Sequence, residues 1–219
     1  MKKNLTDMIF ILDRSGSMCG LESDTIGGFN SMIAKQKAEE GEANVTTVLF
    51  DDRVELIHDR FDLKQVKDLT EKEYYVRGST ALLDAIGSSI QKEVNVQRHL
   101  PEEERAEKVI FVIITDGYEN SSKEYRHRDI KKMIEFEKRK YGWEFMFMGA
   151  NIDAVTEAGK MGISASRAVD YCADSIGTKL NYSVVGEAMV KMRKSAMACD
   201  DASWKEEIEK DFKKRGKKH

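Results

Sequence analysis

The chain alternates short, continuous apolar runs with longer stretches in which apolar residues recur every three or four positions. Met8 to Leu12, Val45 to Phe50 and Val109 to Ile114 are of the first kind, the signature of strands buried on both faces. Ile26, Phe29 and Ile33 are of the second kind, with Lys37 laying its stem along the same stripe. Leu82, Leu83, Ile86, Ile90 and Val94 repeat that spacing, as do Ile130, Met133, Ile134 and Glu137. Trp143 to Met148 predicts a further strand, Ile152 to Met161 a short helix and Ala168 to Tyr171 a last short strand. Ile176, Leu180, Val184, Ala188, Met192 and Ala196 then follow one helical period.

Strands alternating with helices predict an α/β fold, a doubly wound and mostly parallel central sheet with helices on both faces, Rossmann-like in layout. One pair departs from that rule. Only Asp51-Asp52-Arg53 separates Val45–Phe50 from Val54–His58, too short for a parallel crossover, so these two runs predict an antiparallel hairpin at the sheet edge with Asp51 and Asp52 in its turn. Val109 to Ile114 is the most apolar run and is expected at the centre. The expected division is residues 1–199, closing helix included, and a charged segment 200–219. In that segment Trp204, Ile208 and Phe212, spaced by four, suggest a short amphipathic helix before a basic end.

Bulk properties narrow the function classes. Of 219 residues, 36 are Lys or Arg and 39 Asp or Glu, a net charge of -3 that favours neither nucleic acid nor a membrane surface. Cys19, Cys172 and Cys199 are far apart, which argues against a disulfide framework and a zinc site and suits a reducing cytoplasm. The apolar run after Met1-Lys2-Lys3 ends at Asp13 without a small-residue cleavage site, so it does not read as a secretory signal, and no run approaches membrane-spanning length.

The candidate chemistry begins where the first strand ends. Asp13-Arg14-Ser15-Gly16-Ser17-Met18 packs one carboxylate and two hydroxyls into five residues. Oxygen ligands of this kind suit a small hard cation, although Asp, Ser and Gly are equally the residues of an ordinary turn. In an open α/β sheet, ligands sit beyond the carboxyl ends of the strands. If the first strand and Val109–Ile114 are neighbours, Asp13, Ser15 and Ser17 share a crevice with Asp116, and Thr80 reaches it from the start of the Leu82 helix. The bland alternatives are a helix cap for Thr80 and a turn for Asp116 before Gly117.

The pattern Asp13-x-Ser15-x-Ser17, a later threonine at Thr80 and an aspartate after a hydrophobic strand at Asp116 resembles the metal-ion-dependent adhesion site (MIDAS) of von Willebrand factor type A (VWA) domains. The resemblance runs from about Thr6 to Tyr171. It implies a Mg²⁺ or Mn²⁺ held by Asp13, Ser15, Ser17, Thr80 and Asp116, and a protein partner offering an Asp or Glu to the metal. It further implies a binding module, not an enzyme, serving an ATPase-associated or stress-response assembly. Arg14, Met18, Tyr118, Glu119 and Asn151 adjoin the site as candidate partner contacts. Two rival classes stand beside this one. A Mg²⁺-dependent phosphohydrolase with Asp13 as nucleophile is disfavoured by Ser15, which stands where such enzymes usually carry a second aspartate. Nucleic-acid binding would rest on the basic stretch Lys123 to Lys140 and on the basic end, both of which read more simply as solvated surface. The sequence leaves the oligomeric state open.

Overall fold

The computed structural model describes residues 1–194 and 201–216. Its elements follow in the order β1 (Lys2–Asp13), α1 (Glu22–Lys37), β2 (Glu42–Phe50), β3 (Val54–Asp62), α2 (Leu82–His99), β4 (Ala106–Thr115), α3 (His127–Tyr141), β5 (Glu144–Gly149), α4 (Ala154–Lys160), β6 (Ala168–Asp170), α5 (Ser175–Lys194) and α6 (Glu206–Arg215). One six-stranded sheet has the order β3-β2-β1-β4-β5-β6, parallel throughout except for the β2–β3 hairpin at its edge. Ala196 and the expected boundary at 199/200 lie outside the described residues.

The two-residue period of the strands divides the core into two layers. Met8, Phe10 and Leu12 of β1, with Ile110, Val112 and Ile114 of β4, face α1 and α5, where Phe29 meets Phe10 edge to face at 5.4 Å. Ile9 and Ile11, with Val109, Phe111 and Ile113, face α2 and α3. Phe111 there stacks on both Trp143 and Phe145, at 5.7 and 4.7 Å between ring centroids. Continuous apolar runs are what a sheet covered on both faces requires.

One element differs in extent from expectation. β1 begins at Lys2, well before Met8, because its polar residues find partners inside the fold. Asp7 is buried and accepts hydrogen bonds from Asn44 Nδ2 at 2.7 Å, Gln97 Nε2 at 2.7 Å and Arg60 Nε at 3.2 Å. The short amphipathic helix expected near the C-terminal end forms as α6, with Trp204 and Ile208 as core residues beside α5. Trp204 Nε1 donates to the Ser166 carbonyl, and Lys205 Nζ to the carbonyls of Ala165 and Ala168, which ties α6 to the edge of β6. Arg215 pairs with Asp211 and Asp174, so one cation of the basic end is consumed within the fold. No helix among the described residues is long and apolar enough to cross a membrane.

Candidate metal centre

β1 and β4 lie side by side, Leu12 opposite Ile114, so Asp13 and Asp116 emerge together at the carboxyl edge of the sheet. Three loops are sewn to one another above that edge. Gly16 N–H donates to the Gly78 carbonyl at 3.1 Å, Arg77 N–H to the Arg14 carbonyl at 3.0 Å and Ala81 N–H to the Asp51 carbonyl at 2.8 Å. Gly78 is needed here, since its φ of 68° is left-handed and a Cβ would lie 2.5 Å from Asp52 Oδ1.

The five residues named from sequence are brought together. Ser15 Oγ lies 3.0 Å from Ser17 Oγ, and Ser17 Oγ donates to Asp116 Oδ1 in a short hydrogen bond. A Cβ built on Gly117 would stand 3.1 Å from Ser17 Oγ and 3.5 Å from Thr80 Oγ1, so both hydroxyls border the space that this glycine leaves. Asp13 is held more deeply: Oδ1 accepts from Ser15 N–H at 2.7 Å, Oδ2 from Thr115 Oγ1 at 2.6 Å, and Tyr74 Oη donates to its carbonyl at 2.5 Å. Asp13, Ser15, Thr80 and Asp116 are buried, while Gly16 and Ser17 open to solvent.

Electrostatically the site lacks a cation. Neither Asp13 nor Asp116 forms an ion pair with a basic side chain among the described residues, and Asp116 Oδ2 is buried without a hydrogen-bond partner. Burial raises the Asp13 carboxyl, against the hydrogen bonds from Thr115 and Ser15. Burial, joined by the charge of Asp13 and opposed by Ser17, pushes Asp116 up to about 6. Two unneutralised carboxylates beside three hydroxyls fit a hard divalent cation. Among the described residues no cluster of three or more His, Cys, Asp and Glu is placed to hold a metal, so such an ion would depend on the serine and threonine oxygens.

The neighbouring candidates separate. Arg14 is fully buried, with Nε on Asp51 Oδ2 at 2.8 Å and Nη2 on Glu55 Oε2 at 2.5 Å, and Met18 is buried in the core. Both were candidate partner contacts, and neither offers a surface to a partner. Their place follows from the loop's turn back toward the sheet, which drives both side chains inward. Asp51, expected only as a turn residue, is the buried acid between Arg14 and Arg77. Glu119 is half-buried and caps α2, its Oε2 accepting from Leu83 N–H at 2.9 Å and its Oε1 from the N–H groups of Ser121 and Ser122. Thr80 is therefore not the cap of α2, which begins two residues later. Tyr118 and Asn151 are exposed at the rim. Asp153 caps α4 by accepting from Thr156 N–H. Sequence reading missed Thr115 and Tyr74, while Asn120, a loop residue adjoining the site, accepts through Oδ1 from Thr80 N–H at 2.9 Å. The hydroxyl directly before Asp116 was the available signal for Thr115.

No protein-family model and no curated protein matches this sequence. Solved structures do. Proximal thread matrix protein 1 from the mussel byssus, in a form described as having a zinc-occupied MIDAS motif, aligns with 84% of this chain and 46% of its own, at 16% identity and a TM-score of 0.56. A protein described as von Willebrand factor type A from Catenulispora acidiphila aligns with 86% of this chain and 42% of its own, at 14% identity and 0.54. Manganese-loaded TRAP protein from Plasmodium vivax aligns with 68% of this chain and 58% of its own, at 18% identity and 0.52. The chain spans 46 to 61% of the length of the first structures it matches. With the strand order, the hairpin edge and the helix-covered faces described above, these similarities show that the chain has the fold of von Willebrand factor type A domains.

Proposed function

We propose that this protein is a metal-dependent protein-interaction module, in which Asp13, Ser15, Ser17, Thr80 and Asp116 hold Mg²⁺ or Mn²⁺ and a partner protein adds an Asp or Glu carboxylate. The observation that carries this reading is the buried Asp116 Oδ2, unpartnered among the described residues, beside the hydroxyls of Ser15, Ser17 and Thr80, with no basic side chain of those residues paired to either acid. When bound, the cation supplies an electrophilic point for an external carboxylate, a charge-assisted and directional contact.

The chain's own residues set up that contact. Thr115 and the Ser15 N–H each donate to one oxygen of Asp13, which supports an anchoring role for this carboxylate with a lone pair on each oxygen left for the cation. Ser17 stands at the exposed mouth. Beside it a groove of about 440 Å³, bordered by Tyr118, Asn151, Tyr171, Phe212 and Arg215, offers room for the partner's residues next to its acid.

The test is capture of partners from lysate on the immobilised chain, with Mg²⁺, with EDTA, and with Asp13→Ala and Asp116→Ala. Partners that bind in Mg²⁺ and are lost in the other three conditions support the reading. Partners retained equally in all four overturn it.

A further inference from the structure

At the far end of the sheet a second feature asks for a ligand of its own. A cavity of about 310 Å³ opens where the last turns of α2 and α3 meet the start of β4. Measured along β4 from Val109 to Thr115, at about 3.3 Å per residue, it is roughly 20 Å from the candidate metal centre. Val94, Val109 and Trp143 give it an apolar wall.

Glu137 lines this cavity with only 5% of its surface exposed, and its Oε2 is buried with no hydrogen-bond partner. Folded proteins seldom leave a buried carboxylate oxygen in that state. Arg98, on the same cavity, makes no hydrogen bond or ion pair among the described residues. A buried acid and a solvent-exposed arginine, neither hydrogen-bonded nor ion-paired among the described residues, thus line one apolar chamber. Glu102 and Glu107 stay at its exposed rim, and Glu107 is engaged by Asn4 N–H. Burial holds the Glu137 carboxyl above its ordinary range, with Arg98 and Lys140 acting the other way, which is the condition a facing cation relieves.

A purely apolar ligand leaves Glu137 unpaired and covers Arg98 without a counter-charge, a simple amine makes no use of Arg98, and a simple acid meets Glu137 with a like charge. We infer that this cavity binds a small zwitterion with an apolar side chain, in chemical class an aromatic amino acid, its ammonium on the Glu137 carboxylate and its carboxylate on Arg98. Its volume falls within the range of about 300–1,000 Å³ typical of small-molecule sites.

Three probes separate the two ends: L-phenylalanine, phenethylamine without the carboxylate, and 3-phenylpropionate without the ammonium. Binding is followed by calorimetry and by the indole N–H resonance of Trp143. L-Phenylalanine is expected to bind saturably and more tightly than either truncated probe. Glu137→Gln, close in shape, should weaken L-phenylalanine and phenethylamine by at least ~10-fold and spare 3-phenylpropionate, the scale of one charge-assisted hydrogen bond. Arg98→Ala, at an exposed position, should weaken L-phenylalanine and 3-phenylpropionate and spare phenethylamine. Asp116→Ala should change none of these affinities. Absence of saturable L-phenylalanine binding to the folded wild-type chain overturns the proposal, as does a truncated probe that binds as tightly as L-phenylalanine or a set of affinities unmoved by both variants.

Discussion

Arg14 donates its Nε–H to Asp51 Oδ2 at 2.8 Å, so the only basic side chain in the Asp13–Met18 segment points away from the carboxylate beside it. Had Arg14 turned toward Asp13, the site would carry its own counter-ion. Instead Asp51 and Glu55 hold the guanidinium on the hairpin side, and the pair Asp13 and Asp116 is left for an external cation.

This buried pair is also a strut of the fold. Arg14→Met removes one partner while Arg77 stays on Asp51, so it should cost about 1.5–3 kcal/mol in urea unfolding, the scale of one charged hydrogen bond. Burial by itself raises the Asp51 carboxyl, but hydrogen bonds from Arg77 and Arg14 more than offset this and hold it below its ordinary value. With the folded value depressed, the contribution is present above the unfolded value of 3.8 and is lost as pH falls through the folded one. Asp51→Asn should therefore flatten the acid limb of the stability curve.

Gly117→Ala tests the cradle while leaving every proposed ligand in place. The new methyl would stand 3.1 Å from Ser17 Oγ and 3.5 Å from Thr80 Oγ1. The expected result is weaker divalent-cation binding, by ~10-fold or more since crowding of this order costs about 1–3 kcal/mol, with the circular dichroism spectrum unchanged. Unaltered affinity would show that the space over Gly117 does not hold the ion.

Glu93 predicts an opposite pH dependence. Burial and the charge of Asp7 raise it to about 8, against an ordinary 4.5. The folded state thus keeps a proton that the unfolded state loses, and stability should fall as pH rises from about 4.5 to about 8, by up to ~1.4 kcal/mol per pH unit, then level off. Glu93→Gln should remove most of that slope in denaturant midpoints measured across the same range.

Glu119→Ala should shorten α2 from its first turn. Leu83 N–H loses its acceptor and the loop at Ser121 and Ser122 loses its anchor, a loss expected at about 1–2 kcal/mol by thermal unfolding.

What could be read from the sequence was local or periodic. Met8–Leu12 and Val109–Ile114 announce themselves by unbroken apolarity, and the three-residue gap before Val54 forces the hairpin. Asp13 and Asp116 follow from these, because parallel neighbours deliver their carboxyl ends to one edge. The hidden parts are polar contacts between distant segments. Arg14 finds Asp51 37 residues away, Thr115 finds Asp13 across 102, and α2 takes its cap from Glu119, 36 residues beyond Leu83. The first half of β1 escaped notice for the same reason: Asp7 reads as a surface residue until Asn44, Arg60 and Gln97 close around it. The four-residue spacing of Trp204, Ile208 and Phe212 was legible as well, and Trp204 and Ile208 are packed in the core at that end.

The central claim is that the edge between Asp13 and Asp116 holds a divalent cation, and direct Mn²⁺ titration followed by electron paramagnetic resonance addresses it without any partner. The account predicts saturable binding of a single ion per chain, displaced by Mg²⁺ and lost in both Asp116→Asn and the double variant Ser15→Ala with Ser17→Ala. Absence of saturable binding to the folded chain, or binding that survives unchanged in those variants, would contradict it.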